Sequence, residues 1–223
     1  MVTTIEAQAK KEAGGKGRKQ QQRSVVTQNK IIDAAVLAFS EDSFDGVTMR
    51  DIAKSADVSL GLLTYHFDDK EELWQKAATV HMEAMIEYMF PFIMESVDKE
   101  EGWIDALRRF VYYCAEAPGF TRFMILTGVH SSSRLDWLVE NYLQDTFDKM
   151  MEVMPLMNND YFPPKGVDLP VLYYTLLGAA SSIYVHAHEY EKLTESSVFT
   201  DEVVEQHTNL LVCMLKGLSA YKA

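Results

Sequence analysis

The segment Thr48–Leu73 constrains the fold most, because its pattern predicts two short helices joined by a tight turn. Thr48 can cap the first helix, since a threonine hydroxyl accepts a hydrogen bond from the free amides of a first helical turn. Ala53 is small where the helix axes would cross, and Asp57 with Val58 would form the turn. Ser59 can then cap a second helix. Two helices arranged this way form a helix-turn-helix, whose second helix enters the major groove of DNA.

The second helix is predicted to run to Phe67 and to have two distinct faces. Leu63 and Phe67 are four residues apart, so both point inward. The outward face then carries a varied set that suits a groove: Ser59, Leu60, Leu62, Thr64, Tyr65 and His66.

The pattern from Thr27 to Leu73 resembles the DNA-binding domain of the tetracycline-repressor (TetR) family. The resemblance covers about a fifth of the chain and rests on these positions: Ile31, Ile32, Ala34, Ala35, Phe39, Thr48, Asp51, Ile52, Ala53, Val58, Ser59, Gly61, Leu63, Tyr65, His66, Phe67, Lys70, Glu71 and Leu73. It implies an all-α protein, with an N-terminal three-helix DNA-binding domain and a helical C-terminal domain that dimerises and usually binds a small-molecule effector.

Carried over to this chain, the resemblance implies roles for individual side chains. Arg50 would grip a guanine in the major groove, because a guanidinium can donate two hydrogen bonds to that base. Phosphate contacts fix register and carry no sequence information. The predicted phosphate contacts are Thr48, Tyr65, His66 and Lys70. Specificity would depend on Arg50, Leu60, Leu62 and Thr64, while Ser59 completes the predicted DNA-binding set.

Some positions depart from the family pattern. Asp57 and Ser43 stand where the family often has glycine, and Asp pays a small steric cost in a left-handed conformation that glycine avoids. Gln28 replaces a frequent basic residue, and Thr64 replaces a frequent aromatic one. The family's site chemistry is therefore only partly inherited.

Charge is distributed unevenly along the chain, which predicts a basic arm, and the family resemblance implies the two domains that follow it. The formal net charge is −12, yet residues 1–30 contain seven lysines and arginines against two glutamates. We expect a flexible basic arm over 1–23, a helix-turn-helix domain over 24–73 and an effector-binding and dimerisation domain over 74–223. The arm could follow the phosphate backbone, or it could be a disordered solubilising extension.

The composition favours a cytoplasmic protein. Cys114 and Cys213 lie in apolar helical patterns and do not suggest a disulfide framework. The first thirty residues lack the apolar core of a signal peptide. The longest apolar run, around Val171 to Val185, is too short and too interrupted to cross a bilayer, so no membrane association is expected.

Beyond Leu73 the periodicity predicts helices almost throughout. The first should end near Phe90, because Pro91 cannot donate a backbone hydrogen bond. The predicted segments are 69–90, 102–117, 120–127, 135–154, 169–193 and 201–221, with a proline-rich and asparagine-rich linker before the fifth.

The last two predicted helices have features of a dimer interface. Residues 178–182 are small and allow close helix approach, and the final helix carries Leu211, Met214, Leu215 and Leu218 at helical spacing. In the family this pair forms a four-helix bundle across a two-fold axis. A homodimer would also match the symmetry of a near-palindromic operator in double-stranded DNA. The alternative is that these stripes complete the core of one protomer.

An effector site is predicted from aromatic and flexible side chains, which can line an adaptable apolar cavity. Two histidines, His130 and His186, could anchor a mostly apolar effector. The predicted lining is Trp103, Leu107, Phe110, Phe123, Trp137, Tyr173 and Leu177.

Metal and enzyme chemistry have little support in the sequence. His186 and His188 are two apart, so they point to different sides of a helix and do not form the usual metal pair. A glycine-rich phosphate loop and a nucleophile elbow are absent, and Cys114 has no identifiable base partner. We expect no cofactor, no metal and no catalysis.

Three functions remain open from the sequence. The first is a homodimeric repressor that a small, largely apolar effector releases from its operator. The second is a DNA-binding regulator controlled by a protein partner, without an effector cavity. The third is a small-molecule-binding or catalytic protein whose helix-turn-helix no longer reads DNA.

Overall fold

The computed structural model is all-α, as the sequence predicts. It describes residues 2–97, 99, 101–157 and 162–219, and for residues 2–21, 218 and 219 it describes the backbone alone. The chain divides into a first unit, Met1–Ala77, and a second unit, Ala78–Ala223. The helices are α1 (Val2–Gly46), α2 (Met49–Ser55), α3 (Leu60–His66), α4 (Lys70–Ser96), α5 (Gly102–Glu116), α6 (Pro118–Val129), α7 (Ser133–Leu138), α8 (Gln144–Val153), α9 (Leu169–Val185), α10 (Ala187–Thr194) and α11 (Asp201–Ser219).

The first unit packs α1, α2 and α3 around one small core. Every side chain that forms this core is less than a tenth exposed, so the three helices hold one another by apolar burial. Helix α1 includes one non-helical residue, Ser43, at φ 60°. The side chains of residues 2–21 lie outside the described residues, so the predicted basic arm stays a prediction. The core includes Ile31, Ile32, Ala35, Phe39, Ile52, Ala53, Leu63 and Phe67, and the start of α4 adds Leu73 and Trp74.

Helix α4 corrects the prediction that a helix ends at Phe90. It continues through Pro91 to Ser96. A proline removes one backbone hydrogen bond, at a cost of about 3 kcal/mol in a helix interior. The turn beyond it buries Ile93, and Ser96 is fully buried. Burial of this turn offsets the lost bond, which local sequence preference does not reveal.

Two other predicted helices are interrupted. The predicted segment 169–193 breaks at His186, which lies between α9 and α10 at φ −93°, ψ 23°. The predicted segment 135–154 contains a π-helical turn over Val139–Leu143, between α7 and α8. A π-turn places one extra residue in a helical turn and is frequent at functional sites.

The second unit buries its core where α5 packs against α9 and α11. Gly102 begins α5 where a side chain would not fit, because an added Cβ would lie 1.8 Å from the carbonyl oxygen of Ser96. Within the described residues, none of the helices combines the length and apolar character needed to cross a membrane.

Candidate nucleic-acid interface and effector cavity

Helix α2 begins with the cap that the sequence predicts. Thr48 accepts a hydrogen bond from the Asp51 amide at 3.2 Å, and the Thr48 amide donates to Asp51 Oδ2 at 3.0 Å. The Thr48 hydroxyl also donates to that carboxylate. The hydroxyl and amide of Thr48 together hold the pKa of Asp51 below its usual value. To donate to a phosphate, the Thr48 hydroxyl must therefore give up its hydrogen bond to Asp51.

The turn between α2 and α3 also follows the prediction. Asp57 has a left-handed backbone, at φ 50°, and the Val58 amide donates to the Ala53 carbonyl at 3.0 Å. Ala53 is buried against its neighbours. A small side chain there permits the close helix approach that the motif needs.

Helix α3 carries apolar side chains on its buried face and also on its exposed face. Ser59 caps it by accepting from the Leu62 amide at 3.1 Å. Leu63 and Phe67 are buried, whereas Tyr65 is 80% exposed and Leu62 is 39% exposed. Large apolar side chains exposed on this short helix are suited to contact with base methyl groups.

Most of the predicted DNA-binding residues are exposed, at the start of α2 and along α3. Thr64 directs its hydroxyl back to the carbonyls of Leu60 and Gly61, at 3.1 and 3.3 Å, so its methyl group remains for outward contact. His66 is half-buried and packs edge-on against Tyr65. The exposed members of the set are Thr48, Arg50, Ser59, Leu60, Leu62, Thr64 and Tyr65. Their contacts with DNA stay predictions.

Lys70 has a structural role that the sequence does not reveal. Its ammonium donates to the carbonyls of Phe44 and Val47, at 2.8 and 2.9 Å, and lies 4.2 Å from the centre of the Phe44 ring. An ammonium has three N–H donors, so one remains for the predicted phosphate contact.

The second unit contains a large apolar cavity of about 930 Å³. This volume falls in the range of small-molecule sites, roughly 300–1,000 Å³. Helices α4, α5, α6, α8 and α9 contribute to its wall, and so do Val139 and Leu143 at the two ends of the π-turn. Of the residues that the structure describes, none with a charged side chain lines it.

The cavity includes five of the nine residues predicted for the effector site: Trp103, Leu107, Phe110, Tyr173 and Leu177. The other four lie elsewhere. Phe123 is buried against Phe120, with ring centres 5.9 Å apart. Trp137 packs against Tyr142, and both His130 and His186 are exposed. Effector binding by any of the nine stays a prediction.

Several lining residues were not in the predicted set. Six methionines line the cavity, together with Phe90, Phe120, Phe147 and Phe162. The cluster of methionines just before the proline-rich linker is a compositional signal for this wall, because methionine fills irregular apolar space. The six are Met85, Met89, Met124, Met150, Met154 and Met157.

Burial raises the pKa of three ionisable groups at the cavity wall. Burial raises the pKa of the Cys114 thiol to about 12, although a hydrogen bond with Thr121 opposes this shift. Burial likewise raises the pKa of Tyr173 to about 12 and the pKa of Tyr113 well above its ordinary value. These three groups therefore add polarity to the wall without adding charge at neutral pH.

The apolar stripe on α11 that was predicted for dimerisation has both buried and exposed members. Leu211 and Leu215 are buried within the protomer, whereas Met214 is 56% exposed. The side chain of Leu218 lies outside the described residues. An exposed face remains at helical spacing on α11, formed by Leu210, Cys213, Met214 and Gly217, and another on α9, formed by Val171, Tyr174, Thr175, Gly178 and Ser182.

Residues 31–77 match the family described as "Bacterial regulatory proteins, tetR family". Among curated relatives, the chain is similar to IcaR of Staphylococcus aureus (strain Newman), the HTH-type negative transcriptional regulator of the biofilm operon icaADBC. The two are 37% identical over 84 residues, which are 38% of this chain and 43% of IcaR. IcaR of Staphylococcus epidermidis matches to the same extent. The chain thus spans less than half the length of these relatives.

The fold is similar to solved structures over most of its length. A TetR family regulator from Marinobacter aquaeolei VT8 has a TM-score of 0.61 at 17% identity, covering 89% of this chain and 97% of that one. FadR from Bacillus subtilis, solved in complex with stearoyl-CoA, has a TM-score of 0.59 at 18% identity, covering 82% and 96%. At such identities the similarity shows the fold alone.

Proposed function

Because the chain belongs to the TetR family of bacterial regulatory proteins, we propose that it is a cytoplasmic, homodimeric transcriptional repressor with a small-molecule effector. It binds a near-palindromic operator in double-stranded DNA and leaves it when a largely apolar effector fills the cavity. One observation carries this proposal: the chain combines a fully capped helix-turn-helix with a large uncharged cavity in its second unit.

The capped helices support DNA binding. Arg50 is exposed on α2, and the exposed face of α3 carries Leu60, Leu62 and Tyr65. A guanidinium can read guanine, and leucine can contact thymine methyl groups. The exposed faces of α9 and α11 support a homodimer, because Gly178 and Gly217 let a partner helix approach closely.

The cavity favours control by a small-molecule effector rather than control by a protein partner. A regulator controlled only by another protein has no use for an apolar space of this size, and an absent cavity would have favoured that alternative. Retention of Tyr65, His66 and Lys70 together argues against a chain that has lost DNA function.

The effector must act through a difference in affinity between two conformations. A ligand releases DNA only if it binds the DNA-incompetent conformation more tightly, so effector and operator must weaken each other by the same factor. We propose that α4 couples the two events, because this one helix continues from the first unit into the second.

Fluorescence anisotropy tests the DNA half of the proposal. The purified protein is titrated onto a duplex from upstream of its own gene and onto a scrambled duplex, each at two salt concentrations. We expect a specific excess of roughly a thousandfold or more that weakens with salt. Arg50→Met should lower operator affinity about tenfold to a hundredfold and change scrambled-duplex affinity much less. Equal weak binding to both duplexes would contradict specific operator recognition.

Reciprocity tests the effector half. Effector affinity is measured with and without saturating operator, and operator affinity with and without saturating effector. The ratio of the two effector affinities should equal the ratio of the two operator affinities. Equal effector affinity in both conditions would contradict release by an effector.

A further inference from the structure

We propose that the cavity selects a neutral, mostly apolar ligand with one hydrogen-bond acceptor, such as a carbonyl oxygen, and that the Trp103 indole N–H binds this acceptor. The inference deepens the effector half of the proposed function and rests on it. It names the chemical class of the ligand and the group that recognises it.

The charge of the wall argues for a neutral ligand. Arginine, lysine and histidine are all missing from the described residues that line the cavity. Transfer of an isolated carboxylate or phosphate into an apolar space without a charged partner is strongly unfavourable. A ligand with an ionised group inside this cavity would have no cation to pair with among these side chains.

Trp103 supplies the donor. Its side chain is 3% exposed, it lines the cavity, and Nε1 is buried with no hydrogen-bond partner among the described residues. A buried donor without a partner costs about 1–3 kcal/mol. Since an indole nitrogen only donates, the matching ligand group must be an acceptor.

The ring that carries this donor is held in place. Trp103 stacks on Phe162 with ring centres 5.4 Å apart and planes 7° apart. A fixed ring gives the N–H a fixed direction, so a ligand acceptor meets it with little loss of side-chain entropy.

Two hydroxyls at the wall are already satisfied by backbone carbonyls close in sequence. The Thr121 hydroxyl donates to the Ala117 carbonyl at 3.0 Å, and the Ser181 hydroxyl donates to the Leu177 carbonyl at 2.7 Å. Trp103 therefore differs from these groups in having a donor still to satisfy.

Three related fluorescent probes test the inference on the full-length protein without DNA. They are the propionyl ketone of dimethylaminonaphthalene, its propyl counterpart, which lacks the carbonyl, and its carboxylate counterpart. Affinities are measured by fluorescence titration. We expect the ketone to bind up to about tenfold more tightly than the propyl probe, as one hydrogen bond allows. We expect the carboxylate to bind at least about tenfold more weakly than the ketone.

The variant Trp103→Phe removes the N–H and keeps an aromatic ring. It should abolish the preference for the ketone and leave affinity for the propyl probe nearly unchanged. Trp137→Phe is the matched control, because this tryptophan does not line the cavity and the same atoms are removed. Its ketone preference should equal that of the unmodified protein. An equal ketone preference in all three proteins would overturn the role of Trp103.

A second measurement remains decisive if Trp103→Phe does not fold. Emission from the ketone shifts to longer wavelength when its carbonyl accepts a hydrogen bond, so the bound probe in the unmodified protein should emit to the red of its value in a non-hydrogen-bonding solvent. Emission matching that solvent, tightest binding by the carboxylate, or no binding by any probe would overturn the inference. Operator release is assayed separately, so a ketone that binds as expected without releasing DNA would contradict the proposed function alone.

Discussion

Replacement of Lys70 by methionine should destabilise the first unit measurably. Methionine keeps most of the apolar stem but loses the two hydrogen bonds to the carbonyls of Phe44 and Val47 and the contact with the Phe44 ring. A hydrogen bond from a charged group contributes about 1.5–3 kcal/mol net, which partial exposure of Lys70 reduces to about 1 kcal/mol, and a cation–π contact at a partly exposed site contributes about 0.5 kcal/mol. The expected loss is therefore roughly 2–3 kcal/mol, which lowers Tm by about 5 °C or more in a chain of this size.

Thermal unfolding followed by circular dichroism measures this loss. Lys76→Met is the matched control, because Lys76 lies on the same helix and in the same unit but is exposed. The control should melt within about 1 °C of the unmodified protein, since exposed substitutions rarely exceed 0.5 kcal/mol. If Lys70→Met melts at the same temperature as Lys76→Met, the two carbonyl contacts do not stabilise the unit and the reasoning is refuted.

Three further predictions concern the backbone and one half-buried histidine. Ser43→Gly should raise the free energy of unfolding by roughly 1 kcal/mol, because Ser43 has a positive φ of 60° that glycine adopts without strain. An unchanged midpoint of urea unfolding would contradict this prediction. Gly102→Ala should lower it by roughly 3 kcal/mol, since the new Cβ would meet the Ser96 carbonyl; a normal melt would show that the contact relaxes freely. Burial lowers the pKa of His207, although its hydrogen bond to the Ala179 carbonyl opposes this shift. The unfolded chain therefore binds a proton at His207 more readily than the folded chain does. The free energy of unfolding should fall as the pH drops below about 6.5. His207→Gln should flatten this fall, as urea unfolding at neutral and mildly acidic pH would test.

The helix-turn-helix could be read from the sequence because its signals are local. Thr48 and Ser59 cap amides within three residues of themselves, and Asp57 adopts its left-handed turn within the same segment. Such bonds depend on residue type and spacing, both of which the sequence gives directly.

The second unit was less predictable because its features arise from contacts between distant residues. Helical periodicity shows that Phe123 is apolar and inward, but it does not show whether the inward side meets a cavity or Phe120. Pro91 lies inside a helix because burial beyond it outweighs its local preference. The constraint on Gly102 comes from the Ser96 carbonyl, a close approach that has no signature in the residue itself.

The methionine-rich wall of the cavity has a consequence for how this regulator can change over evolution. Methionine side chains rearrange at low energetic cost, so walls built from Met85, Met150 and Met154 can adapt to ligands of different outline without a mutation. Shape is then a weak barrier to new ligands of the cavity, and the few polar groups set most of the discrimination. If the cavity binds the effector as proposed, a lineage can therefore acquire a response to a new compound by altering a single donor or by adding one charge, while the packing that supports the fold is left unchanged.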